Sequence, residues 1–195
     1  MSTRALPALL LLLALPGTVT AADTTTPAAL DELMSLLAAR RHGHVSFTEE
    51  HQMAMLKEPL KSSGELVYDA PDHLEKRTLT PKPEVLILDH GVITAERGKR
   101  QHVLTLADYP QVVPFVESIR ATLAGDRAAL EHYFAISFQG DLAHWTLELT
   151  PKDAAVAHAV QEVRIRGERD AILTIEIRQS DGDRSLVTIG PDVAP

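Results

Sequence analysis

The chain has 195 residues, a formal net charge of −8 and only 4% aromatic residues. This length favours one domain with a substantial core. The acidic balance argues against binding to nucleic acid or to anionic membrane surfaces. The chain has no cysteine, which excludes disulfide bonds and a lipid-modified N-terminal cysteine.

The first residues have the pattern of a secretory signal peptide. A positively charged start precedes the apolar run Ala8–Leu15, which is too short to span a bilayer. Small residues follow, so we expect cleavage after Ala21 or Ala22. Residues 1–21 are therefore predicted to be a signal peptide and residues 22–195 a single domain. The mature protein is expected to be soluble and periplasmic; a short membrane anchor is the alternative.

The next two segments predict a helix and a strand. Ala28–Arg41 places its apolar residues on one face of a helix, which should pack on a sheet. His44–Leu56 alternates apolar and polar residues, which predicts a long, bent strand. The apolar helix positions are Leu30, Leu33, Met34 and Leu37.

Residues 62–93 predict three consecutive antiparallel strands. These are Gly64–Tyr68, Leu74–Leu79 and Val85–Leu88, separated by turns rich in proline, aspartate and glycine. The middle strand is polar on both faces, so no dry core can cover both of its sides. This pattern favours an open, curved sheet over a closed sandwich.

The second half of the chain combines helices with further strands. A hairpin is predicted for residues 92–106, and Pro110–Ala124 is a helix with Val112, Val116, Ile119 and Leu123 on one face and Phe115 beside them. A second short helix starts at Asp126. Later strands are expected at Ala135–Phe138, Leu142–Leu149, Val160–Arg166, Ile172–Gln179 and Arg184–Ile189. The prediction is a mainly β chain of ten or eleven antiparallel strands, with helices that cover the sheet.

Motifs of catalysis are absent from the sequence, so we expect a protein that is not an enzyme and has no cofactor. His42 and His44 are the only close histidine pair, and a solvated junction is favoured there over a metal site. Glu49–His51 suggests an acid–base cluster, but a solvated strand face is the favoured interpretation. Trp145 is expected in the core.

Five segments, in this order, resemble the LolA-like superfamily of periplasmic outer-membrane lipoprotein carriers, in its divergent members. They are Phe47–Glu49, Gly64–Leu66, Ala70–Asp72, Pro83–Gly91 and Trp145–Lys152. The resemblance implies a curved antiparallel sheet forming an incomplete β-barrel with an α-helical lid. It implies a monomer that carries a lipoprotein or another acylated lipid from an inner-membrane exporter to an outer-membrane acceptor, without chemistry.

The resemblance also implies a cargo cavity. Typical carriers have an arginine before the proline of the Ala70–Pro71 pair, which helps to hold the lid shut, and bulky aromatics in the next strand, where this chain has Leu74 and Lys76. A more polar cavity, a different lid contact and another envelope lipid as cargo are therefore expected. Lys76 or Arg77 would then neutralise an acidic headgroup, or both are ordinary surface residues. The expected ligand-binding residues are Phe47, Leu66, Tyr68, Leu74, Lys76, Leu86, Leu88, Phe115, Val116, Ile119 and Leu123.

The predicted function is shielding of acyl chains in this cavity during transfer toward the outer membrane. The alternative is a regulator on the same fold, which binds a lipid or an envelope peptide without passing it on. An enzyme or a structural envelope protein is the third possibility.

Overall fold

The computed structural model describes residues 27–193, so the predicted signal peptide lies outside it. These residues form eleven strands, four α-helices and a 3-10 turn at Leu106–Asp108. None of these helices is long and apolar enough to span a membrane. The elements are α1 (Pro27–Ala39), β1 (His42–Gln52), β2 (Leu60–Asp69), β3 (His73–Thr80), β4 (Glu84–Asp89), β5 (Val92–Arg97), β6 (Arg100–Thr105), α2 (Val113–Ala124), α3 (Arg127–Tyr133), β7 (Phe134–Gly140), β8 (Trp145–Pro151), α4 (Ala154–Ala157), β9 (Val160–Glu168), β10 (Ala171–Gln179) and β11 (Arg184–Asp192).

All eleven strands belong to one sheet, in the order β6-β5-β4-β3-β2-β1-β11-β10-β9-β8-β7. Every neighbouring pair is antiparallel. The edge strands β6 and β7 do not pair with each other, so the sheet stays open. None of the eight residues of β3 is buried, as its polar sequence predicts. The predicted fold, an incomplete antiparallel barrel with helices, is confirmed.

The main core lies between α1 and the C-terminal half of the sheet. The four apolar residues predicted for one face of α1 are each 3% exposed or less, and they pack with Trp145, Leu147 and Ile165. The indole Nε1 of Trp145 donates a hydrogen bond to the carbonyl oxygen of Arg169 at 2.9 Å. A Cβ atom on Gly167 would lie 2.2 Å from the indole ring, so the close approach of this strand requires glycine. The predicted roles of α1 and Trp145 are confirmed.

The strand predicted for His44–Leu56 is shorter at its C-terminal end in the structure, where β1 stops at Gln52. The backbone N–H of Ala54 donates to Asp183 Oδ1 at 2.8 Å, which turns the chain away from the sheet. The side chain of Met55 is consequently 83% exposed.

Two further predicted boundaries were too early. β8 begins at Trp145 rather than Leu142, because Asp141 Oδ1 accepts hydrogen bonds from the N–H groups of Ala143 (2.8 Å) and His144 (3.0 Å). Such a side-chain turn competes with strand pairing. Helix α2 begins at Val113 rather than Pro110, after two hydrogen-bonded turns.

Candidate functional site

A cavity of about 310 Å³ lies between one face of the sheet and helix α2. Its surface is largely aliphatic, with a few polar side chains: Arg40, Glu49, Glu75, Lys76 and Asp170. The apolar lining consists of Leu37, Val45, Leu66, Val67, Tyr68, Leu74, Leu86, Leu88, Ile93, Phe115, Val116, Ile119, Leu123, Ile172, Ile175, Ile177, Val187 and Ile189.

Strand register builds the N-terminal wall of this cavity from two rows of side chains. Alternate residues of a strand face the same side, and paired residues lie next to each other. Leu66 pairs with Lys76, and Lys76 pairs with Leu86, which makes one row. The second row, Tyr68–Leu74–Leu88–Ile93, lies two residues away from the first along β2, β3 and β4 and extends onto β5. The two-residue period thus brings the predicted positions of β2, β3 and β4 onto one surface.

Helix α2 covers the cavity with one face and packs into the helical layer with another. Phe115, Val116, Ile119 and Leu123 line the cavity, at the three- and four-residue spacing of a helix face. Ala121 on another face is fully buried in the core that contains α1. Small residues on the buried face let α2 lie close to its neighbouring helices. Larger apolar residues on the other face line the cavity.

Ten of the eleven predicted site residues line the cavity, and Phe47 does not. Phe47 is 2% exposed, and the ammonium of Lys76 lies 5.1 Å from the centre of its ring. Phe47 is therefore buried beneath the cavity surface, where its ring contacts the ammonium group of Lys76. That the other ten bind a ligand stays a prediction.

The opposite wall of the cavity comes from β10 and β11, and none of its residues was predicted from the sequence. Ile175 and Ile177 alternate on β10, as do Val187 and Ile189 on β11, and all four line the cavity. The alternation itself was visible in the sequence. Which side of the sheet it faced was not, because that depends on the pairing of β11 with β1.

Glu49 and Lys76 form a polar cluster at one end of the cavity. Lys76 Nζ donates to Glu49 Oε2 at 2.5 Å, and the hydroxyls of Ser62 (3.1 Å) and Ser185 (2.7 Å) donate to the same carboxylate. The Glu49 side chain is only 18% exposed. The predicted solvated strand face was therefore wrong for Glu49, because odd-numbered residues of β1 point toward the cavity. Glu50 is exposed and pairs with a surface lysine, as expected.

Lys76 and Arg77 lie in different environments, so the two predicted alternatives, headgroup binding and an ordinary surface position, apply to different residues. Lys76 lines the cavity, whereas Arg77 is exposed and donates to Glu75 at 2.6 and 3.0 Å. Arg77 is thus a surface residue, and only Lys76 is placed to meet a ligand.

The ionisation of Glu49 should couple stability to pH. Burial opposes its ionisation, but hydrogen bonds from Lys76, Ser185 and Ser62 and the charge of Lys76 outweigh burial and lower its pKa below the ordinary 4.5. A carboxyl whose pKa is lowered by folding stabilises the fold above its unfolded pKa, and this contribution is lost as pH falls through the folded pKa. Glu49→Gln should therefore lower the free energy of unfolding at neutral pH, and the difference from the wild type should shrink below pH 4.5.

Urea unfolding of both proteins, at neutral pH and at a series of acidic pH values, measures this difference. Glu176 also has a lowered pKa, because hydrogen bonds and charges from Arg178 and Arg184 outweigh its burial. Both proteins contain Glu176, so its effect cancels in the comparison. A difference that stays constant across the series would contradict the role assigned to Glu49.

Arg120 connects helix α2 to the turn between β2 and β3. Its guanidinium donates to Glu117 on the same helix at 2.6 to 3.0 Å and to Asp72 in the turn at 3.4 Å. Asp72 follows the Ala70–Pro71 pair, where the family resemblance places an arginine before the proline. In this chain, an arginine on α2 itself makes the contact with that turn.

The close histidine pair has carboxylate partners on β2. His42 Nδ1 lies 2.6 Å from Asp69 Oδ1, and His44 Nε2 lies 3.0 Å from Glu65 Oε2. Within residues 27–193, no cluster of three or more histidine or carboxylate side chains is arranged to hold a metal ion. We therefore propose no metal site at this junction.

The sequence of residues 21–191 matches the family model of the outer membrane lipoprotein carrier protein LolA-like family. No curated protein is significantly similar in sequence. Similar solved structures include a LolA superfamily protein from Nitrosomonas europaea, with 10% identity, a TM-score of 0.44 and coverage of 86% of this chain and 92% of that one. Lipoprotein LppX from Mycobacterium tuberculosis has 11% identity, a TM-score of 0.48 and coverage of 88% and 98%. The Pseudomonas aeruginosa MucA/MucB complex has 16% identity, a TM-score of 0.44 and coverage of 86% and 59%.

Proposed function

The chain belongs to the outer membrane lipoprotein carrier protein LolA-like family, and from this we propose that it shields the acyl chains of a lipoprotein or another envelope lipid in its cavity. It carries this cargo through the periplasm from an inner-membrane exporter to an outer-membrane acceptor. The observation that carries the proposal is the apolar cavity between the sheet and α2. The periplasmic location rests on the predicted signal peptide.

Transfer of apolar surface from water provides the binding energy. Each Å² of acyl surface that leaves water contributes about 25 cal/mol. The aliphatic lining offers such a surface from both walls of the sheet and from α2. No covalent step is needed, because binding and release require only that the cavity opens and closes.

The size of the cavity makes movement of α2 part of the proposal. Its volume of about 310 Å³ is near the lower end of the range for ligand pockets, about 300–1,000 Å³. A cargo with several acyl chains needs more room than this. Helix α2 is the element that has to move, and the contact between Arg120 and Asp72 is one that has to break.

Transfer between membranes distinguishes a carrier from a regulator. We expect the protein to extract a labelled acylated lipid from inner-membrane vesicles and to deliver it to outer-membrane vesicles. Lipid in each vesicle fraction is counted after separation, with and without the protein. Binding without delivery would contradict the carrier proposal and favour a lipid-sensing regulator on the same fold.

A further inference from the structure

A second groove, in which most lining residues are polar or charged, adjoins the apolar cavity. It has a volume of about 410 Å³ and shares Glu49, Lys76 and Leu86 with the cavity lining. No helix residue lines this groove. Leu86 is 42% exposed where the two linings meet, next to the Glu49–Lys76 pair. A molecule with an acyl chain in the cavity would therefore place its other end in the groove.

The charged lining of the groove has an excess of basic side chains, although the chain as a whole carries −8. Arg97 is paired with Glu84 inside the groove, whereas Lys61 is paired with Glu50, which does not line it. Among the residues that the structure describes, Lys82 forms no ion pair. Apart from His51, which faces Asp183, the titratable lining consists of two carboxylates and four basic groups: Glu49, Glu84, Lys61, Lys76, Lys82 and Arg97.

We propose that this groove binds the anionic headgroup of an amphiphile whose acyl chain occupies the cavity, with Lys76 and Lys82 as the headgroup-binding residues. The proposal rests on the proposed function, because it names the class of lipid that the cavity accepts. Lys76 has three ammonium donors and gives one to Glu49, so it can contact a phosphate or carboxylate group as well. The side chain of Lys82 is exposed at the turn between β3 and β4 and lines the same groove.

Three probes with the same palmitoyl chain test which sign of headgroup charge the protein prefers. Lysophosphatidic acid is anionic, monopalmitoylglycerol is neutral and palmitoylcholine is cationic. We expect the dissociation constant of the anionic probe to be about tenfold lower than that of the neutral one, as for hydrogen bonds to a charged group. The cationic probe should bind most weakly. Isothermal titration below the critical micelle concentration gives all three constants.

Substitutions then test whether lysines of the groove cause the preference for the anionic probe. The double variant Lys76→Met with Lys82→Gln should bring the ratio of the anionic to the neutral dissociation constant close to one. Lys99→Gln is the matched control, because Lys99 is an exposed lysine in the β5–β6 turn and outside the groove lining. It should leave the ratio unchanged.

The outcomes separate the two proposals. Equal binding of the anionic and neutral probes, or tightest binding of the cationic probe, would overturn the anionic headgroup and leave the acyl-chain cavity intact. An anionic preference that Lys99→Gln removes as strongly as the groove variant would also overturn the headgroup site. Failure of all three probes to bind would overturn the proposed function together with this inference.

Discussion

The variant Leu74→Glu is expected to bind a fluorescent palmitoyl probe at least about 100-fold more weakly than the wild type, because burying a charge against acyl carbon is costly. Leu74 lies in the middle of the cavity wall. Its neighbours across β2 and β4 are Tyr68 and Leu88, which are 6% and 8% exposed. Neither carries a positive charge, and Lys76, two residues along the strand, is already paired with Glu49. Probe titration followed by fluorescence measures the loss.

Leu79→Glu is the matched control for this experiment. Leu79 lies on the same strand but is 54% exposed and does not line the cavity. The same substitution there should leave probe affinity unchanged. Circular dichroism of both variants establishes that the fold is retained. Wild-type affinity in a folded Leu74→Glu protein would remove this residue from the ligand site and weaken the case for the cavity.

Trp145→Ala should lower the free energy of unfolding by about 3–5 kcal/mol, the usual cost of removing a large buried aromatic side chain. Trp145 is 2% exposed, packs in the core beneath α1 and forms a hydrogen bond through its indole nitrogen. Since domains are typically stable by about 5–15 kcal/mol, a loss of this size would leave part of the population unfolded. Urea unfolding followed by far-ultraviolet circular dichroism gives the value, because the variant has no tryptophan fluorescence.

Trp145→Phe separates the ring from its hydrogen bond. It keeps an aromatic side chain in the core but cannot donate to the carbonyl oxygen of Arg169. We expect a loss of about 1–2 kcal/mol, clearly smaller than for alanine. Similar stability of the alanine variant and the wild type would show that this half of the core does not depend on Trp145.

The sequence was sufficient for elements whose signals are local. The polar pattern of β3 predicted an open sheet, and proline and glycine turns on either side fixed the hairpins. These hairpins in turn brought Leu66, Leu74 and Leu86 onto one surface. The helical spacing of Phe115, Val116 and Ile119 likewise indicated the face of α2 that covers them.

Features that depend on distant pairing could not be predicted in the same way. Glu49 and Ser185 are 136 positions apart, yet they form a hydrogen bond because β11 lies beside β1. A periodic sequence pattern does not predict which distant strand will pair with β1. Without that pairing, Glu49 looked like one member of a solvated strand, and the isoleucines of β10 could not be assigned to the cavity.

The position of β11 has a consequence for how the protein forms. The last strand of the described chain, β11, lies between β1 and β10, near the middle of the sheet. Until it emerges, the hairpins on either side each keep an unpaired edge, which invites association with other chains. Joining them closes a loop over most of the polypeptide, and such long-range contacts slow folding. The sheet is therefore completed only when β11 joins β1 and β10, and until then these two edges are open to association with other chains.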